Sequence, residues 1–378
     1  MKNCVPSSFV SAALLALLLS VSGCSDVLSS DDLNAPMGFA LCENINGGHY
    51  DLSGGAKCPE KGVEGRKTVL RSNGGDMRDE IASAIREYDI IVLDGAKGPF
   101  VCSSTAVFEG LRNKTIVGTN GAVLRSAFQG SLLMWDEGFS DEQRESYLGS
   151  GFWHFRSGSG NIIIRNIYFD GPGAFRGKAD TMVSFRFGCD HVWIDHCTFE
   201  DFACRALGFT KGSDCSTVSW CTFRITEQSG GHSLGVLIAS GDDNYEDEDL
   251  LNITFDHCFW QNVWSRIPMA RFATVHVLSN YFDCQNTVGI NPRTNSEFLV
   301  EGCVFTPGTK PYCAYRTNEF PCKACEFRDC VFDKSFAVLQ KGSVSVPYEY
   351  TVMPTDGLGA RVEPFAGPTL RRPLKIGK

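Results

Sequence analysis

The chain lacks any run rich in lysine and arginine, and its acidic residues outnumber its basic ones by 44 to 35. Proteins that bind nucleic acid through its phosphates need clustered basic residues, so nucleic acid is excluded as the main partner. An acidic substrate is not excluded, because a local group of arginines can outweigh a distant net charge. Much of the acidic excess lies in Asp242 to Asp249. We interpret this run as a solvated loop, with a calcium site as the alternative.

The chain also lacks long apolar runs, and no Pro/Ser-rich linker interrupts it after about residue 35. Its early apolar stretch, Ala12 to Leu19, is too short to span a bilayer. That stretch is followed by small residues and Cys24, a pattern typical of a bacterial lipoprotein signal peptide, although an ordinary signal peptide is the alternative. We therefore predict a signal peptide at 1–23, lipidation of Cys24, a tether at 24–35, and an exported protein that is anchored to a membrane of the cell envelope or surface, or is secreted.

Cysteine is abundant, with 17 residues, and export would permit disulfides. The candidate pairs are Cys42 with Cys58, or members of the group Cys313, Cys322, Cys325 and Cys330, and the sequence does not fix the connectivity. The spacing of Cys322 and Cys325 also fits half of a zinc site, but no matching histidine pair follows.

What the chain does contain is a recurring tripeptide that closes on an aromatic residue. Its copies end at Phe169, Phe199, Phe223, Trp260, Phe282, Phe305 and Phe332. These aromatics fall roughly 20 to 40 residues apart, which is the spacing of a solenoid whose coils bury their inner faces by stacking. The Cys or Asn that begins several of these tripeptides should form an internal ladder of small core residues.

Each tripeptide follows a short run rich in β-branched and aromatic residues, such as His191 to Ile194 or Thr274 to Val277. Such runs, bounded by Gly, Asn, Asp and Ser, indicate strands that stack in parallel from coil to coil. We therefore predict an all-β fold, a right-handed parallel β-helix over 36–340 with a short N-terminal capping helix. A C-terminal extension at 341–378 would pack on the coils or trail in solvent, and we expect a monomer.

Four sequence blocks then suggest a family. They are Val192 to His196, Ser213 to Trp220, Asn252 to Phe255, and Arg266-Ile267-Pro268-Met269-Ala270-Arg271 followed by Val275-His276-Val277. In order and approximate spacing they closely resemble the pectate lyases of polysaccharide lyase family 1, and the resemblance covers roughly residues 38 to 335. It implies cleavage of polygalacturonate, the pectin backbone, by β-elimination, with a pectic polysaccharide as partner.

The resemblance also implies roles for individual residues. Arg266 and Arg271 match the two arginines of the family motif, so it implies catalytic roles for both, Arg266 as the base and Arg271 as a binder of the substrate carboxylate. Arg205 and His232 are further candidates for binding the substrate. Asp195, His196 and His276 we assign instead to buried hydrogen bonding between coils. A guanidinium base is unusual, since its pKa ordinarily lies above about 12.

The chain departs from its relatives at the calcium site that the resemblance would otherwise imply. The two aspartates of that site fall at Cys204 and Gly208, whose side chains do not suit a hard cation, and Asp180 is the remaining metal-ligand candidate. A lysine that binds substrate in relatives falls at Leu234. Ca²⁺ is thus a family expectation with an incomplete primary site. Two alternatives stay open: a calcium-independent pectin lyase in which Arg205 replaces the metal charge, and a catalytically degenerate carbohydrate-binding protein.

Overall fold

The computed structural model describes residues 35–43, 54–55, 57–58, 63–128, 149–173, 180–226, 233–314 and 318–375. The predicted signal peptide, Cys24 and nearly all of the tether lie outside these ranges, and so does His232. Residues Pro36–Leu374 form one compact unit. No helix among the described residues is long and apolar enough to cross a membrane.

Three parallel sheets run the length of this unit, and their strands are numbered along the chain. The ten-stranded sheet contains β3 (Lys67–Arg71), β4 (Ile90–Asp94), β7 (Arg112–Thr119), β10 (Gly160–Arg165), β13 (Asp190–Asp195), β16 (Asp214–Ser219), β19 (Ile253–Asp256), β22 (Thr274–Leu278), β25 (Glu297–Glu301) and β27 (Ala324–Arg328). The eight-stranded sheet contains β5 (Phe100–Cys102), β8 (Val123–Ser126), β11 (Tyr168–Asp170), β14 (Thr198–Glu200), β17 (Thr222–Arg224), β20 (Phe259–Gln261), β23 (Tyr281–Asp283) and β26 (Val304–Phe305).

The seven-stranded sheet contains β6 (Ala106–Glu109), β9 (Trp153–Arg156), β12 (Thr181–Arg186), β15 (Arg205–Thr210), β18 (Leu234–Ile238), β21 (Met269–Ala270) and β24 (Asn291–Pro292). A separate antiparallel pair joins β1 (Lys57–Cys58) to β2 (Val63–Glu64). Single turns of 3₁₀ helix lie at Gly38–Leu41, Gly95–Lys97 and Tyr245–Asp247. The chain visits the three sheets in turn and returns to each one coil later, so the predicted parallel β-helix is confirmed.

Equivalent residues of successive coils lie one above another, as the repeat predicted. Phe169 pairs in register with Phe199, and Phe199 with Phe223. The rings of Phe169 and Phe199 stack at 4.9 Å, and the stack continues through Phe223, Trp260, Phe282 and Phe305. Phe332 departs from it, since its ring meets Phe327 edge-on at 6.4 Å. The closing aromatics therefore form one continuous core stack that ends before the last repeat.

The predicted internal cysteine ladder is present beside this stack. Cys197, Cys221, Cys258 and Cys303 are all fully buried, and Asn280 occupies the equivalent place in its own coil. Asn280 donates from its side-chain amide to the carbonyls of Phe255 and Leu278, so the polar side chain is satisfied inside the core. These residues act as small core side chains, in agreement with the sequence.

The candidate disulfides, in contrast, are not formed among the described side chains. Cys42, Cys313, Cys322, Cys325 and Cys330 are all free. Coil stacking explains part of this outcome, because Cys325 lies inside β27 and its buried thiol has a raised pKa, as expected for an inert core residue.

Helix α1 (Arg78–Glu87) covers the N-terminal end of the coils, as predicted. Its buried face is formed by Ile81, Ala82, Ala84 and Ile85, which lie in the same hydrophobic cluster as the first strands. Asp79 and Glu80 lie in its first turn and Arg86 in its last, which is the favourable arrangement for the helix dipole. The helix therefore closes an end of the solenoid that would otherwise expose apolar side chains.

The segment after β27 returns along the ten-stranded sheet. The Tyr348 hydroxyl lies 2.7 Å from Thr254 Oγ1 and 2.8 Å from His276 Nδ1. Further along, helix α2 (Leu358–Val362) contacts β23, and the carbonyl of Pro373 accepts a hydrogen bond from Arg165. The helix contacts the same coil as His276, and Arg165 lies on an earlier coil. Residues 341–374 thus pack along the coils and join distant rungs.

Replacing Phe199 by Ala should lower the free energy of unfolding by about 3 to 5 kcal/mol, because it leaves a cavity in the middle of the aromatic stack. Urea titration followed by tryptophan fluorescence measures this change. Phe365→Ala is the matched control, since that ring is 49% exposed. Equal losses in the two variants would contradict a supporting role for the stack.

Candidate active site

The outer face of the seven-stranded sheet carries most of the predicted site residues. Its inner face is fixed by a second aromatic stack, in which Phe108, Phe155, Phe185 and Phe209 lie 5.0 to 5.4 Å apart on successive coils. Because side chains alternate along a strand, the residues on either side of these phenylalanines point away from the core. This stack was missed at the sequence level, since its members do not end the recurring tripeptide.

Coil register brings the predicted arginines and Asp180 onto this one sheet. Thr181 pairs with Arg205, Arg205 with Leu234, and Leu234 bridges to Ser265, the residue before Arg266. Arg271 directly follows β21. By the same register, Asp180 and Cys204 occupy equivalent positions on neighbouring coils. His232 lies outside the described residues and has no place in this geometry.

Arg266 is the most perturbed group of the site. Burial, followed by repulsion from Arg205, lowers the pKa of its guanidinium to about 10, with further contributions from Arg271 and Arg293. Its Nη1 atom is buried and has no hydrogen-bond partner among the described residues. Its backbone adopts the left-handed conformation, with φ of +60°. The protein therefore holds a guanidinium in a place that disfavours its charged form.

Arg271, which directly follows β21, is held differently, in a largely buried ion pair. Its Nε donates to Asp242 Oδ1 at 2.7 Å, and Arg293 Nη2 donates to Asp242 Oδ2 at 2.5 Å. Thr294 also donates to Asp242 Oδ1, at 2.9 Å. Burial opposes ionisation of Asp242, but the hydrogen bonds from Arg271 and Thr294 and the two positive charges outweigh it and lower the pKa of the carboxyl group. Only 8% of the Arg271 side chain is exposed.

This arrangement changes the sequence interpretation in two respects. Arg271 shares a carboxylate within the protein, so it is placed to brace the site as well as to contribute positive charge. The acidic run is not simply a solvated loop, because Asp242 is paired and Asp247 is fully buried, accepting a hydrogen bond from the Gly212 amide. Arg293 was missed, although it lies one coil beyond Arg271 at the equivalent place after β24.

The residues at the position of the family calcium site do not form a cation site. Asp180 accepts a hydrogen bond from Thr105 Oγ1 at 2.9 Å and lies 3.3 Å from His154 Nε2. Cys204 occupies the equivalent position one coil on, and Gly208 has no side chain to offer. The described part of the chain contains no group of three or more His, Cys, Asp or Glu able to hold a metal.

Asp195 joins neighbouring coils, as assigned from sequence, whereas His276 Nδ1 lies 2.8 Å from the Tyr348 hydroxyl of the C-terminal segment. The buried carboxylate of Asp195 accepts from Arg165 Nε at 2.7 Å on one neighbouring coil and from Ser219 Oγ at 2.7 Å on the other. His196 Nδ1 lies 2.8 Å from the same carboxylate. These residues belong to the ten-stranded sheet and its turn, away from the arginines.

A family model described as pectate lyase matches residues 145–352, more than half of the chain. The chain belongs to the pectate lyase family. Pectate lyase plyB of Emericella nidulans is 33% identical over 182 residues, which are 45% of this chain and 51% of that protein. The chain thus spans about half the length of the curated relatives it matches.

Solved structures of pectate lyases share the fold of this chain. Pectate lyase pelN from Paenibacillus sp. 0602 has a TM-score of 0.66 at 15% identity, with 93% of this chain and 100% of that chain covered. Pectate lyase Bsp165PelA from Bacillus sp. N165, in complex with trigalacturonate, has a TM-score of 0.58 at 19% identity, with 88% and 98% covered. At these identities the likeness concerns the fold, the right-handed parallel β-helix of the family.

Replacing Asp242 by Asn should destabilise the protein by about 3 to 5 kcal/mol, because it leaves two largely buried guanidinium groups without their shared carboxylate. The matched control is Asp170→Asn, which breaks the more exposed Arg125–Asp170 pair on the eight-stranded sheet and should cost about 1 kcal/mol or less. Urea titration of both variants measures the difference, and equal costs would contradict the bracing role.

Proposed function

We propose that this protein cleaves polygalacturonate by β-elimination, with Arg266 as the base. The observation that carries the proposal is the state of Arg266, a largely buried guanidinium among other arginines whose pKa is lowered to about 10. A general base works best when its pKa approaches the working pH. Family membership and the trigalacturonate bound to a structural relative support the choice of substrate.

In the proposed reaction, neutral Arg266 takes the proton from C5 of a galacturonate residue. The electron pair of the C5–H bond forms a double bond between C4 and C5, and the C4–O4 glycosidic bond breaks. The departing oxygen takes a proton from water, leaving one new chain end and one unsaturated sugar. Negative charge develops on the uronate carboxylate as the proton leaves, so nearby guanidinium groups stabilise the transition state.

Arg205 is the residue we propose for this electrostatic role. It lies on the rung between Thr181 and Leu234, and its Nε donates to Thr181 Oγ1 at 2.8 Å, which fixes the stem of the side chain. It also lowers the pKa of both Arg266 and Arg186, so its positive charge acts on side chains along the outer face of the seven-stranded sheet. Arg271 would add charge from its paired position, and His232 remains a proposed substrate contact.

The donor set at the family calcium position does not fit Ca²⁺, which prefers six to eight oxygen ligands. Asp180 supplies one carboxylate that is already bonded, and the equivalent positions offer a thiol and a glycine. The proposed reaction therefore has no step that requires a metal. The positive charge of Arg205 favours carboxylate-bearing chains, so unesterified polygalacturonate is our proposed substrate ahead of methylated pectin.

Export and lipid anchoring through Cys24 are also part of the proposal, supported by the sequence pattern of residues 1–24. The substrate is a polymer too large to enter a cell intact, so an enzyme acting on it works outside the cytoplasm. Cys24, at the start of the tether, would hold the β-helix near a membrane surface if it carried more than one acyl chain, since a single chain binds only marginally.

Arg266→Ala should lower kcat/KM on polygalacturonate by about 10²- to 10⁴-fold, because the general base is lost. In the unmodified protein, kcat/KM should rise about tenfold per pH unit up to the pKa near 10, since only neutral Arg266 accepts the proton. Release of unsaturated products, followed by ultraviolet absorbance, measures both. Arg125→Ala on the eight-stranded sheet is the control. Full activity of Arg266→Ala would contradict the assignment, and polymer binding without product would favour the carbohydrate-binding alternative.

Chelation should leave the activity within about twofold of its untreated value, because the site supplies guanidinium charge where relatives supply calcium ligands. The measurement is kcat/KM on polygalacturonate after dialysis against chelator, with a calcium-replenished sample alongside. A loss that added Ca²⁺ restores would contradict this expectation and show that the substrate completes a metal site.

A further inference from the structure

Two arginines outside the proposed reaction centre lie on the same outer face. Arg156 ends β9 and Arg186 ends β12, and the pairing of Phe155 with Phe185 places them at equivalent positions on neighbouring coils. Neighbouring strands are about 4.8 Å apart, so the two guanidinium groups belong to adjacent rungs. Both follow an inward-facing phenylalanine, and both side chains are therefore directed away from the core.

The nearest described carboxylate is Asp180, which attracts Arg186 electrostatically but is bonded to Thr105 and lies 3.3 Å from His154. Neither arginine forms an ion pair with a described carboxylate, and the Nε atom of each is buried without a hydrogen-bond partner among the described residues. Burial, followed by repulsion from Arg156 and Arg205, outweighs the attraction of Asp180 and lowers the pKa of Arg186. Holding like charges side by side costs free energy, which an anionic ligand would recover.

The surrounding side chains also offer hydrogen-bonding groups without partners. Ser184 and Thr210 are 4% and 6% exposed, and the described residues provide no partner for either hydroxyl oxygen. Thr210 pairs in register with Arg186, and Ser184 precedes the inward-facing Phe185. Buried polar groups in native proteins are normally satisfied, so unpaired hydroxyls beside unpaired guanidinium groups are typical of a binding site.

An exposed aromatic ring completes the patch. Phe187 is 47% exposed, and the Arg186 guanidinium lies over its ring at 5.2 Å from the centroid. A sugar ring has apolar C–H faces as well as hydroxyls, so an exposed aromatic beside cationic donors suits a charged sugar better than a simple inorganic anion.

The patch is too far from Arg266 to act on the same sugar. β12 and β21 are separated by three coils, which corresponds to about 14 Å along the axis. Arg205 lies between them and influences the pKa of both Arg186 and Arg266, so the positive face is continuous from one to the other. A polymer lying along the axis would reach both places with different residues of the same chain.

We propose that Arg156 and Arg186, with Ser184, Thr210 and Phe187, form a remote subsite for the carboxylate of a second uronate residue of the polymer. This inference rests on the proposed function for the identity of the polymer. The subsite gives the protein a preference for long anionic chains over short ones. It contributes binding along the solenoid axis and takes no part in proton transfer.

The test compares binding of trigalacturonate and hexagalacturonate by isothermal titration calorimetry. The double variant Arg156→Gln/Arg186→Gln should bind the hexamer about tenfold or more weakly, because two charge-assisted contacts are lost, and the trimer within about threefold. Arg186→Lys keeps the positive charge but loses the planar set of guanidinium donors. Its affinity for the hexamer should lie between those of the unmodified protein and the double variant. Arg125→Gln on the eight-stranded sheet is the control and should change neither affinity, and thermal melts confirm that each variant is folded.

An unchanged hexamer affinity in the double variant would overturn the subsite, and so would equal weakening of trimer and hexamer, which would place the pair at the reaction centre. Release of unsaturated product by the unmodified protein is measured separately and tests the lyase proposal. If product forms while the variant keeps its hexamer affinity, the subsite fails and the lyase proposal stands. If both oligomers bind without product, the lyase proposal fails and the trimer–hexamer comparison still decides the subsite. Binding of neither oligomer overturns both.

Discussion

In-register stacking of the coils is the constraint on which the rest of this structure depends. Each rung lies about 4.8 Å from the next, so whatever one coil places on the outer face of a sheet is brought close to its counterparts above and below. The aromatic stacks inside fix that register, because Phe169, Phe199 and Phe223 can overlap only when their coils are aligned. A group of like charges on the outer face is tolerated because the inner face holds the backbone in place.

That constraint explains how the guanidinium of Arg266 comes to have a lowered pKa, the property on which its proposed role as the base rests. Arg266, Arg205, Arg271 and Arg293 are brought together by strands that could not separate without breaking the core stack. Asp242 neutralises part of this charge by pairing with Arg271 and Arg293, and leaves Arg266 outside the ion pair. The outcome is one largely buried guanidinium with a lowered pKa beside several other arginines. The stability of the coils thus offsets the electrostatic cost of the site.

Much of the fold could be predicted from the sequence, because the repeat is a local pattern. The closing aromatics, the buried Cys and Asn ladder and the capping helix α1 all follow from spacing and side-chain type. The site was only partly predictable. Arg266 and Arg271 were found through a motif and Arg205 through its place beside a lost calcium-site aspartate. Arg293 and Asp242 depend instead on which coils are neighbours and on how a long acidic loop folds back. The candidate disulfides were wrong because spacing along the chain carries no information on which face of a coil a thiol occupies.

The most direct test of this account is the pKa of Arg266 itself. Carbon-13 NMR of arginine labelled at the guanidinium carbon, titrated from neutral to alkaline pH, would follow it, with Arg266→Lys identifying the signal. The account predicts one arginine that titrates with a midpoint near 10. If every arginine stays protonated above about pH 12, as free guanidinium groups do, Arg266 is not the base and the central claim is contradicted.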